Sequence, residues 1–151
     1  MEIKRDFYLQ KLIDRENNGL IKIVTGIRRC GKSYLLNTLF HKYLNSKGVN
    51  DKHIIKVALD SEESEQLLEP MALTNYVKDR IKDGETYYII LDEIQKVNNF
   101  VAILNGFLRF PNVDIYVTGS NSKFLSSDIV TEFRGRGDEI RMYPLSFSEF
   151  C

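Results

Sequence analysis

The stretch "GIRRCGKSYLL", residues 26–36, decides the fold class. It follows the apolar run "LIKIV" (20–24) and leads into "YLLNTLFHKYL" (34–44), whose apolar residues recur at helical spacing. The pattern Gly-x-x-x-x-Gly-Lys-Ser is that of a phosphate-binding loop, and strand–loop–helix is the context such a loop requires. Gly26 and Gly31 allow a tight turn in which backbone N–H groups face a phosphate.

The other positions of the loop have predicted roles as well. Lys32 is expected to reach between the β- and γ-phosphates of a nucleotide, and the Ser33 hydroxyl to ligate Mg²⁺. The helix N-terminus that follows adds a partial positive charge. The predicted nucleotide-binding residues are Gly26, Ile27, Arg28, Arg29, Cys30, Gly31, Lys32, Ser33 and Tyr34. A chance match in an ordinary strand–turn–helix is the alternative, so a second motif has to decide.

That second motif is "YYIILDEIQ", residues 87–95. A buried strand leads into Asp92 and Glu93 at its carboxyl end, where open α/β sheets bind their ligands. Asp92 is predicted to hold Mg²⁺ through water, and Glu93 to act as the general base that polarises the attacking water. A polar loop, or Asp92 as a helix cap, is the alternative.

Two more segments carry candidate residues. In "VDIYVTGSNSKFL" (113–125), Thr118, Ser120 and Asn121 follow a strand and could contact the γ-phosphate or the water. A turn that caps the next helix explains them equally well. In "EFRGRGDEI" (132–140), Arg134 or Arg136 could project to a neighbouring subunit's γ-phosphate, and solvated arginines are the alternative.

The order of elements predicts an α/β fold. Helical segments at 34–43, at 71–81 after Pro70 and at 100–108 before Pro111 alternate with β-rich runs, as in a parallel sheet with right-handed crossovers. The opening "FYLQKLIDREN" (7–17) predicts an amphipathic helix that ends at Asn18-Gly19, and residues 60–70 an acidic loop or short helix. The five predicted strands are Leu20–Thr25, His53–Leu59, Thr86–Leu91, Val113–Thr118 and Glu139–Tyr143.

Length, charge, hydropathy and cysteine content exclude several classes of protein. The chain has 151 residues, enough for one domain, of which 43% are hydrophobic. Its 21 basic and 21 acidic residues give a formal net charge of zero, so net charge does not favour binding to nucleic acid or to an anionic membrane. No apolar run approaches the ~18 residues of a membrane span. Two cysteines, Cys30 and Cys151, are too few for a disulfide framework and favour the cytoplasm.

Four blocks together carry a family resemblance: "GIRRCGKSYLL", "YYIILDEIQKV", "IYVTGSNSKFL" and "GRGDEIRMYPLSFSEF". They resemble the AAA-type domain of a large group of bacterial and archaeal predicted ATPases of the AAA+ superfamily, in the same order along the chain. The Asp-Glu-Ile-Gln and Pro-Leu-Ser-Phe blocks are the specific ones. The match runs from about Ile3 to the last residue.

The resemblance implies a three-layer P-loop NTPase fold of the additional-strand type, with parallel sheet order 5-1-4-3-2. It implies that Ser120, with Asn121 beside it, is the sensor of the γ-phosphate. Arg136 matches the arginine-finger position better than Arg134 and would act in trans in a homo-oligomer. Family members usually continue into a winged-helix-like segment and a C-terminal domain. We therefore expect residues 1–151 to be the ATPase core, without the lid and C-terminal domains.

The expected function is Mg²⁺-dependent ATP binding and hydrolysis that drives a conformational switch in a larger protein, with a DNA or protein partner held by the missing domains. One alternative is a small-substrate phosphotransferase, although the acid-rich region 60–85 does not look like an arginine-rich lid. Another is a nucleic-acid-binding or scaffold module that uses ATP as a structural ligand. No Asn-Lys-x-Asp motif is present, which favours ATP over GTP. Arg5, Phe7 and Tyr8 are candidates for adenine contacts, and Phe7 is better explained as core.

Overall fold

A computed structural model of the chain describes residues 2–16, 19–25, 35–59, 61–97, 99–119 and 137–141, without the side chains of residues 2–7, 70 and 141. The helices are α1 (Glu2–Asp14), α2 (His41–Ser46, preceded by a π-helical segment, Leu35–Phe40), α3 (Pro70–Arg80) and α4 (Phe100–Phe107). The strands are β1 (Ile21–Thr25), β2 (Ile54–Ala58), β3 (Tyr87–Asp92), β4 (Val113–Gly119) and β5 (Gly137–Arg141). Short 3₁₀ segments cover Asp51–His53, Glu62–Leu68 and Ile94–Lys96.

The five strands form one parallel sheet in the order β2-β3-β4-β1-β5. Read from the other edge this is 5-1-4-3-2, so the predicted order is confirmed. Strand β4 lies between β1 and β3, which carry the two principal motifs at their carboxyl ends. The sheet therefore sets the distance between the strand ends from which those two motifs continue.

Helices cover both faces of the sheet. Alternate residues of a strand point to opposite faces, and in β3 Tyr87, Ile89 and Leu91 pack with α3 and α4. Tyr88 and Ile90 pack with α1, α2 and the π-helical segment. Burial on both faces explains why the strands read as nearly continuous apolar runs. The predicted three-layer α/β fold is confirmed.

The ends of β1–β4, α3 and α4 lie within one residue of the prediction, and the larger differences are at α1, α2 and β5. Helix α1 begins five residues before Phe7, and α2 continues to Ser46, three residues beyond the predicted helical segment. Helix α1 ends at Asp14, because Glu16 accepts hydrogen bonds from the hydroxyls of Tyr43 and Tyr88, which hold the chain in a turn before Gly19. Strand β5 begins at Gly137, two residues before the predicted start, because Gly137 already pairs with Ile21 of β1. Tyr143, the predicted end of that strand, lies outside the described residues.

The acidic segment 60–70 forms the short 3₁₀ helix Glu62–Leu68, one of its two predicted states. Pro70 begins α3, as predicted, because its fixed φ suits the first turn of a helix. Within the described part of the chain, no helix has both the length and the apolar character needed to cross a membrane.

Candidate active site

The carboxyl ends of β1, β4 and β3 lie side by side. Thr25, the last residue of β1, is in register with Gly119, the last residue of β4. One rung earlier, Val24 pairs with Thr118, and Leu91 of β3 pairs with Val117. Because two strand spacings separate β1 from β3, Thr25 and Asp92 end their strands about 10 Å apart. The loop that begins at Gly26 and the acidic pair therefore leave the same edge of the sheet.

The two acids at this edge are buried and anchored by one hydroxyl. Asp92 is 5% exposed and Glu93 is 6% exposed. Thr118 Oγ1 donates a hydrogen bond of 2.5 Å to Asp92 Oδ1 and accepts one of 2.9 Å from the backbone N–H of Glu93. A single side chain on β4 thus holds the carboxylate of one acid and the backbone of the other.

Glu93 has an unusual backbone conformation, with φ 58° and ψ 51°. A residue other than glycine seldom occupies this left-handed region, and such residues cluster at functional sites. The chain turns sharply here from β3 into the segment Ile94–Lys96, and Ile94 is fully buried in the core below. The amide Nε2 of Gln95 then donates a hydrogen bond of 2.6 Å to Glu93 Oε1.

The end of β1 is fixed laterally as well. Thr25 is fully buried, and its hydroxyl donates a hydrogen bond of 2.7 Å to Glu139 Oε2 on β5. Strand β1 is thus bound to β4 and β5 through its backbone, and to β5 also through this side chain. The residue before the glycine-rich loop consequently has a defined position.

The predicted site residues fall into two groups. Asp92 and Glu93 lie together at the expected edge, and their roles stay predictions. The loop residues Gly26, Ile27, Arg28, Arg29, Cys30, Gly31, Lys32, Ser33 and Tyr34, together with Ser120, Asn121, Arg134 and Arg136, lie outside the described residues. The side chains of Arg5 and Phe7 also lie outside them, and Tyr8 is buried in the core that faces α2.

Three polar contacts of the site were not predicted from the sequence. Thr118 was a candidate for contacting the γ-phosphate or the water, or for a turn that caps the next helix, whereas its hydroxyl bridges Asp92 and Glu93. Gln95 and Thr25 were given no role. Gln95 does follow an acidic pair by two positions, but no sequence signal shows that the turn brings its amide back to Glu93.

The chemistry of the acids fits Mg²⁺. The described residues contain no group of three or more histidines, cysteines, aspartates or glutamates that could enclose a metal ion. Mg²⁺ at nucleotide sites needs no such cage, because one or two protein oxygens, phosphates and water complete its shell. Asp92 offers a hard oxygen ligand at the edge of the sheet, so a site shared with a bound triphosphate fits the residues present.

Comparison with known proteins places these observations in context. A family model described as "AAA domain" matches residues 18–151. An uncharacterized protein of Haemophilus influenzae is 36% identical over 149 residues, which cover 98% of this chain and 37% of that protein. An uncharacterized protein of Methanocaldococcus jannaschii is also 36% identical, over 98% of this chain and 31% of its own length. The chain thus spans about a third of the curated relatives it matches.

Solved structures share the fold. The Aeropyrum pernix ORC1 protein, solved in complex with DNA, superposes with a TM-score of 0.64 at 14% identity, covering 94% of this chain and 46% of that one. DnaA from Aquifex aeolicus, solved with AMPPCP bound, gives a TM-score of 0.52 at 14% identity, over 89% of this chain and 43% of DnaA. At these identities the likeness concerns the fold alone.

Proposed function

This chain belongs to the AAA domain family and is an ATPase, and we propose that it couples Mg²⁺-dependent hydrolysis of ATP to a conformational switch in a larger protein. The observation that carries the proposal is the acidic pair. Asp92 and Glu93 are buried, held by Thr118, and lie about 10 Å across the sheet edge from the end of β1. A triphosphate bound at the end of β1 would extend past the end of β4, and its metal ion would lie on the side of Asp92.

Each predicted residue then has a distinct task. Residues 26–34 cradle the phosphates, with Lys32 between the β- and γ-phosphates. Ser33 and Asp92 would hold Mg²⁺, which when bound offsets the charge of the phosphates. Glu93 accepts a proton from the attacking water.

A second set of residues senses whether the γ-phosphate is still present. Ser120 and Asn121 respond to the presence of the γ-phosphate and transmit its loss. Arg136 reaches the γ-phosphate of a neighbouring copy, so full turnover requires a homo-oligomer. An arginine placed at the transferring phosphoryl group stabilises the charge of the transition state.

In this proposal, the parts of the protein that act on a partner after hydrolysis are not among residues 1–151. Residues 1–151 span about a third of the length of the two curated relatives, and we propose that they form the ATPase core. The remaining parts hold a DNA or protein partner. The ORC1 protein with the same fold was solved in complex with DNA, which makes DNA the first partner to test. With two cysteines in the chain, a reducing cytoplasm is the compartment we propose.

Calorimetric titration with ATP, GTP and ADP, with and without Mg²⁺, tests the nucleotide, the metal and the site together. We expect ATP binding that strengthens with Mg²⁺ and is abolished by Lys32→Ala. We also expect Glu93→Gln to retain ATP while turnover falls by a factor on the order of 10². The control is Glu62→Gln, which alters an exposed glutamate of the 3₁₀ segment Glu62–Leu68.

Two results would contradict the proposal. If Glu93→Gln hydrolysed ATP at the parent rate, Glu93 would not activate water. If labelled γ-phosphate moved to a small acceptor instead of appearing as inorganic phosphate, the chain would be a phosphotransferase.

A further inference from the structure

We propose that Gln95 is a positioning residue, which holds the carboxylate of Glu93 in the orientation needed to activate water. This inference rests on the proposed role of Glu93 as the general base. It assigns a function to a side chain two positions further along the chain.

The backbone of Glu93 is already fixed. Its N–H donates to Thr118 Oγ1, and its carbonyl oxygen accepts a hydrogen bond of 3.1 Å from the N–H of Lys96. The fully buried Ile94 anchors the turn from the other side. The rotation of the Glu93 side chain about its own bonds then decides where the carboxylate oxygens lie.

Gln95 acts on that rotation through a direct contact. Its amide Nε2 lies 2.6 Å from Glu93 Oε1, a short hydrogen bond to a charged acceptor. The left-handed backbone of Glu93 and the 3₁₀ turn after it bring the two side chains together, although residues i and i+2 of a regular helix do not face each other. The contact therefore depends on the unusual conformation at Glu93.

A neutral donor suits this position. An amide orients a carboxylate through a directional hydrogen bond, but it stabilises the anion less than a lysine or an arginine would. A general base must be held within reach of the water that it activates. The amide of Gln95 supplies that orientation.

The other end of the same amide indicates that stability is not the reason for this residue. Gln95 Oε1 is buried, and it accepts no hydrogen bond from any residue that the structure describes. A buried carbonyl oxygen without a donor destabilises the folded state. A side chain selected for packing alone would have no such oxygen.

Gln95→Met tests the proposal, because methionine has a similar length and neither polar atom. We expect kcat for ATP to fall about 10- to 100-fold, the size of a lost hydrogen bond to a charged group, while KM changes much less. The midpoint of thermal unfolding should stay unchanged or rise, since the buried oxygen without a donor is removed. The matched control is Gln66→Met, at an exposed position of the 3₁₀ segment Glu62–Leu68, which should change none of these quantities.

The double variant separates the possible outcomes. In a Glu93→Gln background, Gln95→Met should cause no further loss of turnover, because there is no base left to orient. A full additional loss there, or parent-level turnover of Gln95→Met alone, would overturn the positioning role and leave the proposed function intact. Parent-level turnover of Glu93→Gln alone would overturn the proposed function, and this inference with it.

Discussion

The hydroxyl of Thr118, at the end of β4, donates a hydrogen bond to the carboxylate of Asp92, at the end of β3. The same oxygen accepts the N–H of Glu93. Strand β4, which pairs with β1, and the strand that carries the acids are thereby joined at the level of the site. A change in the position of β4 would be transmitted directly to both acids.

Thr118→Val should weaken this junction. Valine keeps the shape of threonine but leaves the buried N–H of Glu93 without its acceptor, so we expect the free energy of unfolding to fall by about 1–3 kcal/mol. ATP turnover should fall with it. Urea unfolding followed by circular dichroism measures the first effect. Thr118→Ser keeps the hydroxyl and should retain most of both quantities. A Thr118→Val variant as stable and as active as the parent would show that the bridging hydroxyl has no energetic role.

The contact between Thr25 and Glu139 predicts a coupling between the start of the loop and β5. Thr25→Val removes the donor of this hydrogen bond, and Glu139→Met removes its acceptor. In a double-mutant cycle on stability, the two changes should show an interaction energy of about 0.5 kcal/mol or more. If β1 positions the glycine-rich loop, Thr25→Val should also weaken ATP binding in calorimetry. Strict additivity would mean that the contact has no energetic role.

Lys22 and Asp114 form a buried ion pair on β1 and β4, and the hydroxyl of Tyr116 donates to the same carboxylate. Burial lowers the pKa of Lys22, although Asp114 opposes that effect, and burial raises the pKa of Tyr116. Asp114→Ala leaves a buried cation without this partner and should cost about 3–5 kcal/mol. The double variant Lys22→Met with Asp114→Ala should be more stable than Asp114→Ala alone, as measured by urea unfolding. A double variant that is less stable still would contradict this account.

Glu16 predicts a dependence of stability on pH. Burial raises the pKa of Glu16, but hydrogen bonds from Lys47, Tyr88 and Tyr43 outweigh it, so the pKa lies below its ordinary value of 4.5. A lowered folded-state pKa stabilises the protein above the unfolded pKa, and that contribution is lost as pH falls through the folded value. Glu16→Gln should therefore be less stable than the parent at pH 7, and the difference should shrink below about pH 4.5.

Unfolding midpoints of the parent and Glu16→Gln, measured from pH 3 to pH 7, check this. The matched control is Glu63→Gln, at an exposed glutamate of the segment Glu62–Leu68. A difference between parent and Glu16→Gln that stayed constant down to pH 3 would mean that the charge of Glu16 plays no part.

Much of the fold could be predicted from the sequence because its signals are local. Apolar runs such as "YYIIL" indicate strands buried on both faces, and helical spacing after Pro70 indicates α3. The sheet order followed from the family resemblance. The boundaries of α1 and β5 could not be predicted in the same way, because the tyrosines that bind Glu16 and the partner of Gly137 are distant in the sequence.

For the site, the sequence by itself determined which chemical groups are available: a glycine-rich loop with Lys32 and Ser33, and an acidic pair directly after a buried strand. Only the tertiary structure decided how the acids are held. The bridge from Thr118 depends on the register of β4 against β3, and the contact from Gln95 depends on the left-handed backbone of Glu93. Both result from packing between distant segments, and the pattern of neighbouring residues does not contain that information.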